Sequence, residues 1–172
     1  MISINCVNLH KFLFTTKFIM TPLNLPKYNI NVNELPDGSL QIFDRLRGKF
    51  VALTPEEWVR QHFVAFLIDY KGYPIGLMAN EVALSLNGTS RRSDTVVYDS
   101  SAHPLVIIEY KAPSVNITQK TFDQIVRYNM VFKAPYLIVS NGLNHYCCHV
   151  DIEKHSYKFL TDIPTYDEIV KM

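Results

Sequence analysis

The sequence predicts one α/β domain in which helices flank a central mixed sheet, and three observations carry that expectation. Its 172 residues, 48% hydrophobic and 19% charged, suffice for a single packed core and are too apolar for intrinsic disorder. Two stretches of helical period are separated by strand-like segments at short spacing. Gly, Pro and Asn-Gly signals fall between these segments. The expected order is a small β lead-in, a helix, a three-stranded antiparallel meander, a second helix, a strand and a terminal hairpin.

At the amino end, Asn5, Asn8, His10, Lys11 and Lys17 interrupt the apolar residues well short of the roughly 20 needed to span a membrane. The segment has no clean basic start, no unbroken apolar middle and no small-residue cleavage site. Met20 opens a more ordinary beginning, so residues 1–19 are expected to be an upstream extension outside the fold. Residues 20–53 read as the β lead-in: NINV, a turn at Pro36-Asp37-Gly38, LQIF, then Gly48 and FVAL. Residues 54–172 form the main domain. Thr54-Pro55-Glu56-Glu57 supplies an N-cap hydroxyl, a proline at the first helical position and the Glu of a capping box. Trp58, Val59, Phe63, Phe66 and Leu67 then recur at helical spacing until Lys71-Gly72-Tyr73-Pro74 ends the helix.

Three strands follow, at 77–86, 91–99 and 104–111, separated by Asn87-Gly88 and by residues 100–103. Thr118 caps a second helix that runs to about Phe132, with Phe122, Ile125 and Val126 on one face. PYLIVS is the next strand, Asn141-Gly142 turns the chain, and HYCCHVD with SYKFL makes the terminal hairpin.

Charge and cysteine content narrow the function. Lys plus Arg number 17 against 16 acidic residues, so the chain has no globally basic coat and any nucleic-acid contact must use a local patch. Three cysteines, two of them the adjacent Cys147 and Cys148, make no disulfide framework and favour a reducing compartment, which points to the cytoplasm. No phosphate-binding loop and no dinucleotide fingerprint is present, so ATP-driven work within this chain is not expected. Cys147-Cys148 with His145 and His149 lacks C-x-x-C spacing, and strand alternation would split the set between two faces, so zinc is not expected either.

The chemistry lies in the meander. Glu109 and Lys111 project to the same side of their strand, roughly 6.6 Å apart. A turn centred between Ser101 and Ala102 sets Asp94 opposite Glu109, and a hairpin centred on Asn87-Gly88 sets Glu81 opposite Asp94. Glu81, Asp94 and Glu109 then form one row, with Lys111 beside it; a single bulge within it would break the row. Three carboxylates so placed repel one another and call for a cation. Oxygen-only donors suit Mg²⁺ or Mn²⁺, which points to phosphodiester chemistry. In that reading Asp94 and Glu109 hold the ion, a water activated by it attacks phosphorus, and Lys111 stabilises the developing charge. Exposed salt-bridge partners are the plain alternative. The strand is apolar on both sides, however, which makes it central and its terminal Glu and Lys partly buried.

With these residues placed, the stretch from about Phe43 to Thr161 resembles the N-terminal domain of type I restriction enzyme R subunits, a branch of the PD-(D/E)xK nuclease superfamily. LTPEEWVRQHF, Glu81, RRSDTVVYD, VIIEYKAP, QIVRYN and PYLIVSNG carry the resemblance. The family's D…E-x-K signature falls on Asp94, Glu109 and Lys111, and its Q-x-x-x-Y helix motif on Gln124 and Tyr128. Ser93 stands where the superfamily's name has proline. The resemblance implies a restriction-endonuclease-like αβββαβ core that binds DNA and cuts it with Mg²⁺ or Mn²⁺, in restriction or DNA defence. A separate motor or specificity protein is the partner it calls for beyond DNA. Glu81, Gln124 and Tyr128 are accessory candidates, and Arg91, Arg92, Lys120 and Arg127 are candidates for tracking phosphates. Glu57, an accessory acid in some relatives, is already explained by the capping box. A non-catalytic nucleic-acid-binding or assembly module on the same fold is the alternative function.

Overall fold

Thr54 starts the first helix as its sequence requires: its backbone is extended and its hydroxyl accepts from the Glu57 N–H at 3.1 Å. Helix α1 (Pro55–Lys71) closes on Gly72, whose left-handed backbone only glycine adopts without cost. Thr54→Ala is expected to lower the unfolding free energy by about 1 kcal/mol in urea titration; an unchanged midpoint would show that packing alone fixes this terminus. The structure is a computed structural model and describes residues 21–86 and 89–171, except the side chains of residues 84–91, 124, 127, 128 and 130–132. The expected extension over 1–19 and the turn residues Asn87 and Gly88 lie outside the described residues.

The lead-in is a three-stranded antiparallel sheet, β1 (Val32–Glu34), β2 (Leu40–Asp44) and β3 (Lys49–Ala52). After α1 and a short 3-10 turn come β4 (Met78–Leu86), β5 (Thr89–Tyr98), β6 (Pro104–Tyr110), α2 (Gln119–Phe132), β7 (Tyr136–Ser140), β8 (His145–Asp151), β9 (Ser156–Phe159) and α3 (Tyr166–Lys171). The second sheet has the order β4-β5-β6-β7-β8-β9 and is mixed, because β6 and β7 run parallel around the crossover helix α2 while all other neighbours are antiparallel. Both of its faces are covered. Val59, Phe63 and Leu67 of α1 pack on Val97, Val106, Ile108 and Ile138; Phe122 and Val126 of α2 pack on Val96, Ile107, Leu137 and Cys148.

The two registers inferred for the meander are the ones observed. β4 pairs with β5 through Asn80↔Thr95 and Val82↔Ser93, and β5 with β6 through Thr95↔Ile108 and Val97↔Val106. Neither expected rung of the acid row, Glu81↔Asp94 nor Asp94↔Glu109, is made among the described residues, and an irregularity occurs between Val97 and Tyr98 on the turn side. Ala102 stands in the left-handed region beside it, at φ 62°, as in three-residue hairpin loops that end in a bulge.

α3 was not anticipated. Thr165 caps it by accepting from the Glu168 N–H at 3.3 Å, while Glu168 accepts from the Thr165 N–H at 2.7 Å. That reciprocal pair is the full capping box. At Thr54 the box is only half made, because the Glu57 carboxylate turns to Arg60 and Gln61. The Glu57 side chain is thus no cap but a buried partner of Arg60.

Candidate functional site

The site forms where the β5–β6 ladder opens. Pairing ends at Thr95↔Ile108, leaving Asp94 and Glu109 just past the last rung. Asp94 Oδ2 accepts the Tyr110 N–H at 2.8 Å, standing in for a strand partner, and Asp94's charge acts on Glu109. Lys111 follows on β6's exit, half-buried, and its charge acts on Glu109. Burial pushes the Glu109 carboxyl up to about 8, Asp94's charge pushes the same way, and Lys111 only partly opposes them.

Glu81 reaches the same place by an unusual route. It sits between the pairs Asn80↔Thr95 and Val82↔Ser93, and its φ is 58°. Strict alternation would turn it away from the face that Asn80 presents to Asp44 and α1. The left-handed backbone, a strain of order 1–3 kcal/mol for a residue with a Cβ, lets its carboxylate meet Arg60 of α1 at 2.7 Å.

Arg60 is the residue that sequence reasoning missed. Its guanidinium is 6% exposed and bridges Glu57 at 2.9 Å, Glu81 at 2.7 Å and Asp94 at 2.9 Å, with Tyr110's ring 5.8 Å from its centre. Burial opposes its charge, but Glu57, Asp94 and Glu81 more than offset that and hold it protonated. Burial raises the Glu57 carboxyl despite Gln61, Arg60 and Arg47. The cation that the acid row calls for is therefore supplied, for Glu81 and Asp94, from within the chain. A signal was available: Arg60 shares the helical stripe of Phe63, Val64 and Leu67, where a charged side chain needs a buried partner.

A second polar chain fastens the lead-in sheet to this site. Asp44, fully buried at the end of β2, accepts from Asn80 Nδ2 at 3.1 and 3.0 Å, from the Leu46 and Arg47 N–H groups at 2.9 Å each, and from Arg47 Nε. Thr95 donates to Asn80 Oδ1 at 2.6 Å, and Arg47 Nη2 lies 3.6 Å from Glu57.

The other candidates divide. Arg92 is two-thirds exposed and lies 3.3 Å from Glu81. Lys120 is exposed on the first turn of α2. The side chains of Gln124, Tyr128, Arg91 and Arg127 lie outside the described residues. Cys147 and Cys148 are free, buried and on opposite faces of β8. Among the described residues no three His, Cys, Asp or Glu side chains converge on a metal position, and no helix is long and apolar enough to cross a membrane. Asp94 and Glu109 nonetheless fit a hard divalent cation, which needs only one or two carboxylates, both all-oxygen donors.

An α/β domain that gathers carboxylates, one lysine and a buried arginine at an opening of its mixed sheet is the class these features define. Residues 55–164 match the family model for the N terminus of type I restriction enzyme R proteins, and the chain belongs to that family. Its fold is similar to that of a fragment assigned as an HsdR subunit of a type I restriction enzyme from Vibrio vulnificus YJ016, with 17% identity and a TM-score of 0.51. The likeness covers 67% of this chain and 24% of that one. No curated protein matches.

Proposed function

We propose that this chain is a divalent-cation-dependent deoxyribonuclease unit of a restriction system, with residues 54–172 as the nuclease-like domain on a restriction-endonuclease-like core. The observation that carries the reading is the meeting of Asp94 and Glu109 at the end of the β5–β6 pairing, with Lys111 two residues beyond. The element order α1, β4 to β6, α2, β7 and the family membership support it. Asp94 and Glu109 would hold Mg²⁺ or Mn²⁺, which supplies Lewis acidity to phosphodiester hydrolysis. Lys111 contributes positive charge where negative charge develops on the phosphate. Arg92 and Lys120, both exposed, would contact a phosphate backbone together with Arg91 and Arg127, and Gln124 and Tyr128 would be accessory groups. The proposed setting is the cytoplasm, with a separate motor or specificity protein acting alongside.

Supercoiled-plasmid cleavage in Mg²⁺, Mn²⁺ and EDTA tests this directly. Metal-dependent nicking is expected from the wild type, and a loss of about a hundredfold or more from Asp94→Ala and Lys111→Ala. Undiminished cutting by both variants would sink the assignment. A folded wild type that binds DNA without cutting would point instead to a binding or assembly module.

A further inference from the structure

Arg60 is a buried cation at the site that the proposed hydrolysis does not use. It lies within 2.9 Å of three carboxylates on three separate elements, and its Nε has no hydrogen-bond partner among the described residues. Its position is set by the acids. Asp94 is the acid it shares with the proposed cation site: Oδ1 takes Arg60 Nη2, and Oδ2 takes the Tyr110 N–H.

We propose that Arg60 is the internal counter-ion of the acid row and that a divalent cation binds Asp94 and Glu109 in competition with it. This rests on the cation-site reading above. Arg60 is a positioning residue: it holds Asp94 and Glu81 in place while no cation is bound, and it lowers the affinity with which one binds, because two positive charges must then share one carboxylate. Glu81, bent into reach by its left-handed backbone, and Glu57 give the guanidinium partners to keep when Asp94 is drawn to the cation.

Competition and mere support predict opposite signs, so Mn²⁺ titration by calorimetry on the full chain separates them. Arg60→Met is expected to bind Mn²⁺ at least about fivefold more tightly than wild type, within the usual span of coupling between sites. Its cation-free melting temperature should be lower and its rise on adding Mn²⁺ larger. Arg60→Lys should fall between, since one ammonium keeps the charge and cannot span three carboxylates; it also carries the test if Arg60→Met does not fold. Asp94→Asn should abolish binding. Equal or weaker binding by the Arg60 variants, with Asp94→Asn still silent, overturns the competition and leaves the cation site standing. No Mn²⁺ binding by any variant removes the cation site, and the proposal with it.

Discussion

Glu109→Gln is expected to cost about a hundredfold or more in plasmid nicking while raising the melting temperature of the cation-free protein. The gain follows from the neighbourhood of Glu109. Burial and Asp94 together hold its carboxyl near 8, against an ordinary 4.5. Between those values the folded chain keeps a proton that the unfolded chain has lost, so each step up in pH through that window removes stability. Glutamine has the same shape and no charge to bury, so the variant escapes the loss. The difference should be small at pH 4.5 and grow to about 2 kcal/mol by pH 8.5, allowing for partial screening, which is roughly 4–8 °C in a domain of this size. Thermal melts of both proteins from pH 4.5 to pH 8.5 in EDTA check it; parallel curves would mean that Glu109 is not held protonated.

Asp44→Ala should be the most damaging single change outside the hydrophobic core, at about 3–5 kcal/mol. It removes a fully buried carboxylate and strands Asn80's amide, two backbone N–H groups and Arg47 without their acceptor. Burial works against ionisation of Asp44, but the bonds from Asn80 and Arg47 more than compensate, and its carboxyl lies below the ordinary 3.8. A depressed carboxyl contributes stability above its unfolded value and loses it as pH falls through the folded one. The gap between wild type and variant in urea denaturation should thus be full at pH 7 and shrink below about pH 3.8. A gap of the same size at pH 7 and pH 2.5 would assign the loss to packing.

Much of the fold was legible because local signals agreed with one another. Thr54, Gly72 and Thr118 marked helix ends by backbone chemistry that needs no tertiary partner, and both hairpin registers followed from turn centres combined with strict alternation. The same turn centres brought Glu81, Asp94 and Glu109 to one end of the ladder, but did not fix how their side chains are aimed. What the sequence hid was long-range. Nothing local says that Arg60 should meet strands β4 and β5, or that Asp44 should be roofed by Asn80. The left-handed backbone at Glu81 is a tertiary compromise that no turn residue announces. α3 was a different kind of miss: Thr165 and Glu168 spell a capping box that went unread because the segment is short and follows a hairpin.

The partners that complete the site are far apart along the chain, 34 residues for Arg60 and Asp94 and 36 for Asp44 and Asn80. Each of these closures must absorb loop entropy before its contact returns anything. A chain still emerging from the ribosome holds the same acids scattered along flexible segments, where they concentrate no cation. The arrangement of acids around Arg60 therefore exists only once these loops have closed.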